Sequence, residues 1–372
     1  MLIFERRIEN RIKERLGKGR AILIFGPRQV GKTTLAKKLL LPHGEAGGYF
    51  NCELTTVRKH FLLGQPEALL ELIGKKKTVV FDEAQTIENI GAILKAFLDT
   101  YPDIQVIATG SSSFDLANKI NEPLTGRAFE FVLLPLALDE IARTVPVTEQ
   151  LLLELLRLGS YPAIVGEPDA TVREDLLRNI ATNYLYKDIF IFESLRRPKL
   201  VEDLLVALAQ QVGSTVSLNE LAETLGATRT TVQKYLTLLE QAYVIFRLPS
   251  FSRNPRNELK KAFKIFFYDT GIRNAVLDRI APVAGRGDKG ALLENFVVLE
   301  RMKHGMRETF PPKLAFWRTR KGEEIDLIEE HGEALSAYEY KWKDENVSFR
   351  TFLRKYPNAH AQVVTFQALV QR

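Results

Sequence analysis

A short apolar run, Ala21-Ile22-Leu23-Ile24-Phe25, continues directly into Gly26-Pro27-Arg28-Gln29-Val30-Gly31-Lys32-Thr33-Thr34. Such a run is typical of a buried parallel strand. The residues after it match the pattern G-x-x-x-x-G-K-S/T. Its glycines allow the backbone to curl, so that N–H groups face a polyphosphate at the positive end of a helix. The segment therefore predicts a strand, a phosphate-binding loop and a helix from Thr33.

Residues 26–34 are accordingly predicted to bind a nucleotide. Lys32 would reach the β- and γ-phosphates, and the Thr33 hydroxyl would ligate Mg²⁺. Further along, Asn118-Lys119-Ile120-Asn121 lacks the final carboxylate of the motif that reads guanine. We therefore expect ATP rather than GTP, with Mg²⁺ as the second cofactor.

Polar residues follow two further apolar runs in this part of the chain. Thr78–Phe81 ends in Asp82-Glu83, which predicts Asp82 near the metal and Glu83 polarising the attacking water. Ile104–Thr109 is followed by Gly110-Ser111. Ser111 is predicted to hold the water opposite the γ-phosphate.

Gly126-Arg127 shortly precedes the weaker strand candidate Phe129–Leu134. A guanidinium here could stabilise transferred charge in the site of a neighbouring subunit. On this basis Arg127 is predicted to be catalytic. The alternative is that Arg127 forms a surface salt bridge.

Strand-like and helix-like segments alternate through the first third of the chain, which is typical of an α/β domain. We predict this domain over residues 1–140. A helical region over residues 141–212 follows, interrupted by Gly159-Ser160-Tyr161-Pro162. Residues 213–280 then present a capped helix starting at Ser217, a glycine turn, a second helix from Thr228 and a strand over 242–248. This order is the outline of a winged helix.

Basic residues are concentrated in one stretch. The net charge of the chain is +6, and residues 226–265 hold eight basic and two acidic residues, a local excess of six. Such a surface favours an anionic partner, most often nucleic acid. The predicted DNA contacts, which lie off the apolar stripe of the second helix, are Arg229, Thr230, Gln233 and Lys234. The alternative is a surface for protein contact.

The last domain, predicted over residues 281–372, has acidic residues at spaced positions. Glu294 lies in a helix, Asp326 in a following strand, and Glu339-Tyr340-Lys341 at the end of the next strand. Glu294, Asp326 and Glu339 are the predicted metal ligands. Since side chains 339 and 341 share one face of a strand, Glu339 and Lys341 are predicted to act on a scissile phosphate. The alternative is a structural ion cluster in an inactive nuclease-like fold.

The composition is that of a globular protein, with 45% hydrophobic and 26% charged residues. Cys52 is the single cysteine, which excludes an internal disulfide and a zinc site built from cysteines. The sequence has no apolar run long enough for a membrane span, and charges follow at once after Met1-Leu2-Ile3-Phe4. We expect a soluble, cytoplasmic protein without a membrane partner.

Taken together, these motifs resemble a family of prokaryotic AAA-type ATPases that carry a C-terminal PD-(D/E)xK nuclease-like domain. The resemblance rests on the phosphate loop and on six further motifs. They are Phe81-Asp82-Glu83-Ala84-Gln85, Thr109-Gly110-Ser111-Ser112-Ser113, Leu124-Thr125-Gly126-Arg127, Leu133-Leu134-Pro135-Leu136, Gly159-Ser160-Tyr161-Pro162 and Phe267-Tyr268-Asp269-Thr270-Gly271. Cys52-Glu53 departs from the Leu-Asp that such proteins tend to show, so no role is assigned there. The resemblance implies an AAA-like parallel sheet, a winged helix and a restriction-endonuclease-like end domain. It also implies a homo-oligomer, for which a hexameric ring is one arrangement.

Two functions are consistent with these observations. The first is a Mg²⁺-dependent, DNA-binding ATPase that processes DNA and carries a nuclease-like module. The second is a regulatory or assembly protein switched by nucleotide, whose end domain only binds DNA or protein. ATP hydrolysis stimulated by DNA would favour the first function.

Overall fold

The structure is a computed structural model that describes residues 2–110, 124–184, 198–253, 263–319 and 321–370. Its N-terminal part is built on a five-stranded sheet with the order β2-β3-β4-β1-β5, in which every pairing is parallel. The strands are β1 (Ala21–Phe25), β2 (Gly47–Asn51), β3 (Thr78–Asp82), β4 (Gln105–Gly110) and β5 (Ala128–Val132). The predicted parallel α/β sheet is confirmed.

One helical segment precedes β1, and others lie between the strands. Their bounds are Ile8–Lys13, Lys32–Leu40, Leu41–Ala46, Thr55–Arg58, Pro66–Ile73, Ala84–Thr86 and Ile90–Thr100. Every residue of β1 and β3 is buried, as expected for parallel strands that are covered on both faces. The register pairs Phe25 with Gly110 and Asn51 with Asp82. The carboxyl ends of the strands therefore meet at one edge, where residues 26–31 also lie.

The middle of the chain is helical, as predicted. Its helices are Leu138–Ile141, Glu149–Leu158, Pro162–Val165, Ala170–Tyr184 and Pro198–Gln210. The Thr148 hydroxyl accepts a hydrogen bond from the Leu151 N–H at 3.1 Å, which caps the second of these helices. Within the described ranges, no helix is long and apolar enough to cross a membrane.

A small antiparallel sheet follows, with β8 (Phe263–Phe267) between β6 (Thr215–Val216) and β7 (Ile245–Pro249). The helices Leu218–Thr224 and Arg229–Gln241 lie between β6 and β7 in the chain. Ser217 caps the first helix, as the sequence predicts, by accepting from the Glu220 N–H at 3.3 Å.

The strand predicted over residues 242–248 begins later, at Ile245. Residues 242 and 243 donate backbone hydrogen bonds back into the preceding helix, to Leu238 and Glu240. Tyr243 has φ 57°, a left-handed conformation that ends a helix. These residues therefore close the helix before the chain can extend.

The C-terminal part pairs a long helix with a four-stranded sheet. Before the long helix come the segments Thr270–Val276 and Val283–Gly285. The sheet has the order β12-β11-β10-β9, in which β11 and β12 are parallel and the other pairs antiparallel. In chain order the elements are the helix Lys289–Gly305, β9 (Lys313–Arg318), β10 (Glu324–His331), β11 (Ala334–Lys341), the helix Arg350–Lys355, β12 (His360–Thr365) and the helix Phe366–Val370.

Buried apolar side chains connect the four parts of the chain. One continuous cluster includes Ile24 in the parallel sheet, Leu155 in the helical middle, Phe266 in the small sheet and Leu292 in the long helix. A second, smaller cluster lies beneath the helix Arg350–Lys355. The parts of the chain therefore share one core, and the apolar side chains of each part are buried against those of the others.

Candidate nucleotide site and carboxylate cluster

Two glycines shape the loop between β1 and its following helix. Gly26 has φ 144°, and a Cβ added there would lie 2.0 Å from the carbonyl oxygen of Leu133. Gly31 has φ 97° and precedes the first residue of the helix Lys32–Leu40. Only glycine adopts both backbone conformations without strain. The loop therefore curves over the end of β1, as predicted.

Lys32 lies inside this curve and is only 4% exposed. Its ammonium donates hydrogen bonds to the carbonyl oxygens of Gly26 and Pro27, at 2.8 and 2.7 Å. The charge is therefore held at the centre of the loop, where a bound polyphosphate would meet it.

Asp82 accepts hydrogen bonds from three hydroxyl groups. The Thr33 and Tyr49 hydroxyls donate to its Oδ2 at 2.8 and 2.6 Å, and Thr109 donates to its Oδ1 at 2.5 Å. Carboxylate and hydroxyl oxygens are suitable Mg²⁺ ligands, and this ion usually takes few protein ligands beside substrate phosphates. The donor set of Thr33 and Asp82 therefore fits the predicted metal position.

Glu83 follows Asp82 in a strained conformation, with φ 53°, and such strain is often found at functional sites. The Glu83 N–H donates to the Thr109 hydroxyl at 3.1 Å. The Gln85 side-chain amide donates to Glu83 Oε2 at 2.5 Å. These contacts fix the carboxylate at the same edge of the sheet as the loop. Ser111, which was predicted at this edge, lies outside the described residues.

The site changes the titration of two neighbouring groups. Burial, followed by the charge of Asp82, raises the pKa of the Cys52 thiol to about 12. Burial and the hydrogen bond to Asp82 also raise the pKa of Tyr49 above its usual value. Both groups are therefore protonated at neutral pH. Cys52, where the sequence departs from the family pattern, has a structural place beside β3.

Arg6, which no sequence motif indicated, contacts the loop from a distant position in the chain. Its guanidinium donates to the carbonyl oxygens of Val30 and Leu134, at 2.7 and 2.5 Å, and to Glu140 Oε2 at 3.1 Å. Arg6 therefore connects the phosphate loop to the segment after β5. Arg6 belongs to no recognisable motif, so no signal in the sequence indicated that it contacts the loop.

The same N-terminal segment also contacts the end of the long helix. Arg7 and Arg307 both donate to Asp139, Arg307 through two hydrogen bonds of 2.5 and 2.9 Å. Arg11 donates to the carbonyl oxygen of Met306 at 2.5 Å. Residues 6–11 therefore join the nucleotide domain to the C-terminal part of the chain.

Arg127 lies at the start of β5, 40% exposed, and pairs with Asp99 at 2.7 Å. Because β5 and β1 are parallel, the start of β5 is at the sheet edge opposite the loop, about 17 Å away for a five-residue strand. Within one chain Arg127 thus makes a surface salt bridge. Any catalytic action would have to be on the nucleotide of another subunit.

The predicted DNA-contacting residues lie on the exposed side of the helix Arg229–Gln241. Arg229, Thr230 and Lys234 are exposed and Gln233 is half-buried, while Tyr235 points into the core. The basic surface is smaller than the charge count predicted. Arg247 forms an ion pair with Glu240, Lys264 is buried, and residues 254–262 lie outside the described ranges.

The structure brings the acidic residues of the end domain together. The Asp326 N–H donates to Glu339 Oε2 at 3.3 Å, and Lys341 donates to Glu339 Oε1 at 2.9 Å. Glu294 reaches the same place from the long helix, and Glu324 adds a carboxylate that the sequence analysis did not single out. We refer to Glu294, Glu324, Asp326 and Glu339 as the carboxylate cluster.

Lys264 of β8 lies within this cluster and is 1% exposed. Its Nζ is 2.8 Å from Glu294, 2.6 Å from Glu324 and 3.7 Å from Asp326. Among the described residues, no group of three or more His, Cys, Asp or Glu side chains is arranged to hold a metal ion. The predicted ligands are therefore neighbours, but the ammonium of Lys264 lies against two of them, Glu294 and Asp326.

Burial sets the protonation of the cluster. It raises the pKa of Glu294 to about 8, with a further contribution from Asp326, and it also raises the pKa values of Asp326 and Glu339. Burial opposes the charge of Lys264, but the neighbouring carboxylates raise its pKa above the usual value. Lys264 is therefore charged at neutral pH.

The parallel sheet, the glycine loop and the contacts of Asp82 all lie in one N-terminal part of the chain, and this part resembles a known nucleotide-binding family. Residues 18–142 match the family model described as AAA domain. Residues 149–282 and 289–371 match two models that are each described as a domain of unknown function (DUF8612 and DUF4143).

Similar chains occur in bacteria and archaea. An uncharacterized protein of Mycobacterium tuberculosis is 27% identical over 338 residues, covering 89% of this chain and 72% of the relative. An uncharacterized protein of Methanocaldococcus jannaschii is 26% identical over 328 residues, covering 82% of this chain and 71% of the relative.

Two solved structures show weak likeness. One is Drosophila ORC bound to AT-rich DNA and Cdc6, with a TM-score of 0.27 and 10% identity over 74% of this chain and 91% of that chain. The other is C. elegans PCH-2, with a TM-score of 0.28 and 16% identity over 75% of this chain and 70% of that chain. Scores this low do not establish a shared overall fold.

Proposed function

We propose that this protein is a Mg²⁺-dependent ATP hydrolase that binds DNA and acts as a homo-oligomer. The observation that carries the ATPase proposal is the convergence of Thr33, Asp82 and Thr109 beside the glycine loop. Bound Mg²⁺ would neutralise phosphate charge, held by the Thr33 hydroxyl and the Asp82 carboxylate. The loop N–H groups and Lys32 bind the phosphates, and Glu83 orients the attacking water.

Glu83→Gln is expected to retain ATP binding but to lower the hydrolysis rate by about 100-fold or more. The amide keeps the size of the side chain and its contact with Gln85, but cannot accept a proton from water. Steady-state phosphate release and binding of a fluorescent ATP analogue separate the two effects. Glu88→Gln, at an exposed acid nearby, is the matched control. Hydrolysis by Glu83→Gln at the parental rate would show that another group activates the water.

We propose that Arg127 acts on the nucleotide of a neighbouring subunit, because its own loop lies at the opposite sheet edge. Lys32→Ala and Arg127→Ala chains are each expected to be inactive alone and to regain part of the ATPase when mixed. In a mixed assembly, one interface pairs an intact loop with an intact arginine. Lys32→Ala mixed with the double variant Lys32→Ala/Arg127→Ala must show no recovery. If subunit exchange is shown by fluorescence transfer and activity does not return, Arg127 does not act in trans.

We also propose that residues 213–280 form a winged helix that binds DNA. The order of helices and strands around β6, β7 and β8 supports this proposal, and so does the exposed basic face of the helix Arg229–Gln241.

The second function left open by the sequence is that of a nucleotide-dependent regulator of assembly. It predicts an ATPase rate that changes with oligomeric state and not with DNA. Measuring ATPase with and without DNA at several protein concentrations distinguishes the two.

Replacing Arg229 and Lys234 together by alanine is expected to weaken DNA binding and to make it less dependent on salt. The slope of log affinity against log salt should fall by roughly two units, at about 0.9 per lost phosphate contact. Fluorescence anisotropy over a range of salt concentrations measures this slope. Replacement of Lys59 and Lys75, which are also exposed, should leave it unchanged. An unchanged slope for the first pair would indicate a protein-contact role.

For the end domain we propose a restriction-endonuclease-like fold. One helix, three antiparallel strands, a second helix and a strand parallel to the third follow each other in the chain. This order and the convergence of Asp326, Glu339 and Lys341 support the proposal. Because Lys264 lies among the carboxylates, we propose that the domain binds DNA or protein and does not cleave.

A further inference from the structure

The resemblance to nuclease-like domains implies a divalent metal at Glu294, Asp326 and Glu339, and the residues present do not fit one. We infer that Lys264 is the resident cation of the carboxylate cluster, and that the cluster fastens the end domain to the small sheet instead of binding a metal. This inference does not depend on ATP hydrolysis or on DNA binding.

The distances around Lys264 show that its ammonium occupies the position that a metal ion would need. Mg²⁺ requires oxygen ligands at about 2.0–2.1 Å in near-octahedral geometry. The Lys264 ammonium already lies within hydrogen-bonding distance of Glu294 and Glu324 and 3.7 Å from Asp326. A metal bound to the same carboxylates would meet this ammonium at close range. The two cations therefore compete for one position.

Lys264 cannot simply swing out of the cluster. It belongs to β8, the central strand of the small sheet, and its backbone is paired with Thr215 on one side and Leu248 on the other. The ammonium also lies 5.5 Å from the centre of the Phe316 ring, within the range of a cation–π contact. Moving the ammonium out of the cluster would therefore break its contact with Phe316 and expose a side chain that is almost fully buried.

Other contacts around Lys264 join the same two parts of the chain. The Asn295 side chain accepts from the Phe267 N–H and donates to the Phe267 carbonyl, both at 2.8 Å. A Cβ added at Gly213 would lie 2.8 Å from a carboxylate oxygen of Glu294. The cluster is thus the charged centre of a closely packed interface, and Lys264 supplies the positive charge that allows the acids to be buried there.

The first test is Mn²⁺ binding to the nucleotide-free full-length protein, measured by the electron paramagnetic resonance of free Mn²⁺. Asp326→Asn removes one carboxylate charge but keeps an oxygen that can accept from the Tyr340 N–H. We expect the parental protein and Asp326→Asn to bind equal amounts of Mn²⁺, as should the exposed control Asp344→Asn. Loss of one Mn²⁺ from Asp326→Asn alone would overturn the inference.

The second test measures whether Lys264 and Glu294 depend on each other. Lys264→Met, Glu294→Gln and the double variant are compared by thermal unfolding. Lys264→Met leaves buried acids without their partner, so we expect its Tm to fall by about 5 °C or more. The double variant should lose clearly less than the sum of the single losses. Additive losses would overturn the inference. If Lys264→Met does not fold, the Mn²⁺ comparison still decides.

Discussion

Lys32→Ala is expected to reduce ATP hydrolysis by at least about 100-fold, the cost of removing a single preorganised donor from a charged transition state. The ammonium is buried within the loop and held by the carbonyl oxygens of Gly26 and Pro27. An alanine would leave the phosphates facing those oxygens without the positive charge. Steady-state hydrolysis and binding of a fluorescent ATP analogue would both be measured.

Lys38→Ala provides the matched control. Lys38 belongs to the same helix, but its side chain pairs with Glu9 and not with the loop. We expect this variant to keep the parental ATPase activity. If Lys32→Ala also hydrolysed ATP at close to the parental rate, the loop would not be the hydrolytic site and the proposed function would fail.

Gly271→Ala is expected to cause a large loss of stability. A Cβ at this position would lie 2.2 Å from the carbonyl oxygen of Leu158 and 2.8 Å from the backbone nitrogen of Gly159. Backbone atoms cannot move aside as the end of a flexible side chain can. We expect a destabilisation of about 3 kcal/mol or more, at the upper end for core overpacking. Thermal unfolding followed by circular dichroism measures it.

Gly285→Ala is the control for this prediction, because a Cβ there would meet no atom within 4 Å. Its Tm should equal that of the parental protein. If Gly271→Ala unfolded at the parental temperature as well, the close approach of the two segments would not exist in solution.

This contact explains two motifs that carried the family resemblance but had no assigned role. Gly159-Ser160 and Asp269-Thr270-Gly271 pack against each other, and the Ser160 N–H donates to Asp269 at 2.8 Å. Burial raises the pKa of Asp269 to about 6. The glycines are required by the short distance between the segments. Their role is structural, since they join the helical middle to the helix Thr270–Val276.

The features that could be predicted from the sequence are those that depend on residues close together in the chain. The strand Ala21–Phe25, the loop after it and the helix cap at Ser217 each depend on residues within a few positions of one another. Asp82 could also be predicted, because an apolar strand ends directly before it. Local pattern is sufficient here because backbone geometry alone brings these groups together.

The features that were missed depend on contacts between distant parts of the chain. Arg6 reaches the phosphate loop only because the N-terminal segment packs beside residue 140, and Lys264 reaches Glu294 only because the small sheet packs against the long helix. A basic residue in a basic stretch suggests an exposed surface. Lys264 is instead buried against acidic residues of another domain. This burial depends on tertiary packing, which a local sequence pattern does not predict.

The N-terminal segment has a consequence for the synthesis of the protein. Arg6 can form its contact with Glu140 only after 134 further residues have been synthesised. Arg11 can form its contact with Met306 only after 295 further residues. At about 5–20 residues per second, the second delay is about 15–60 s. The N-terminal segment that carries Arg6 therefore gains its full set of contacts only after most of the chain has been synthesised. A nascent chain that ends before Met306 should hold the segment beside the nucleotide loop by fewer contacts than the complete chain does.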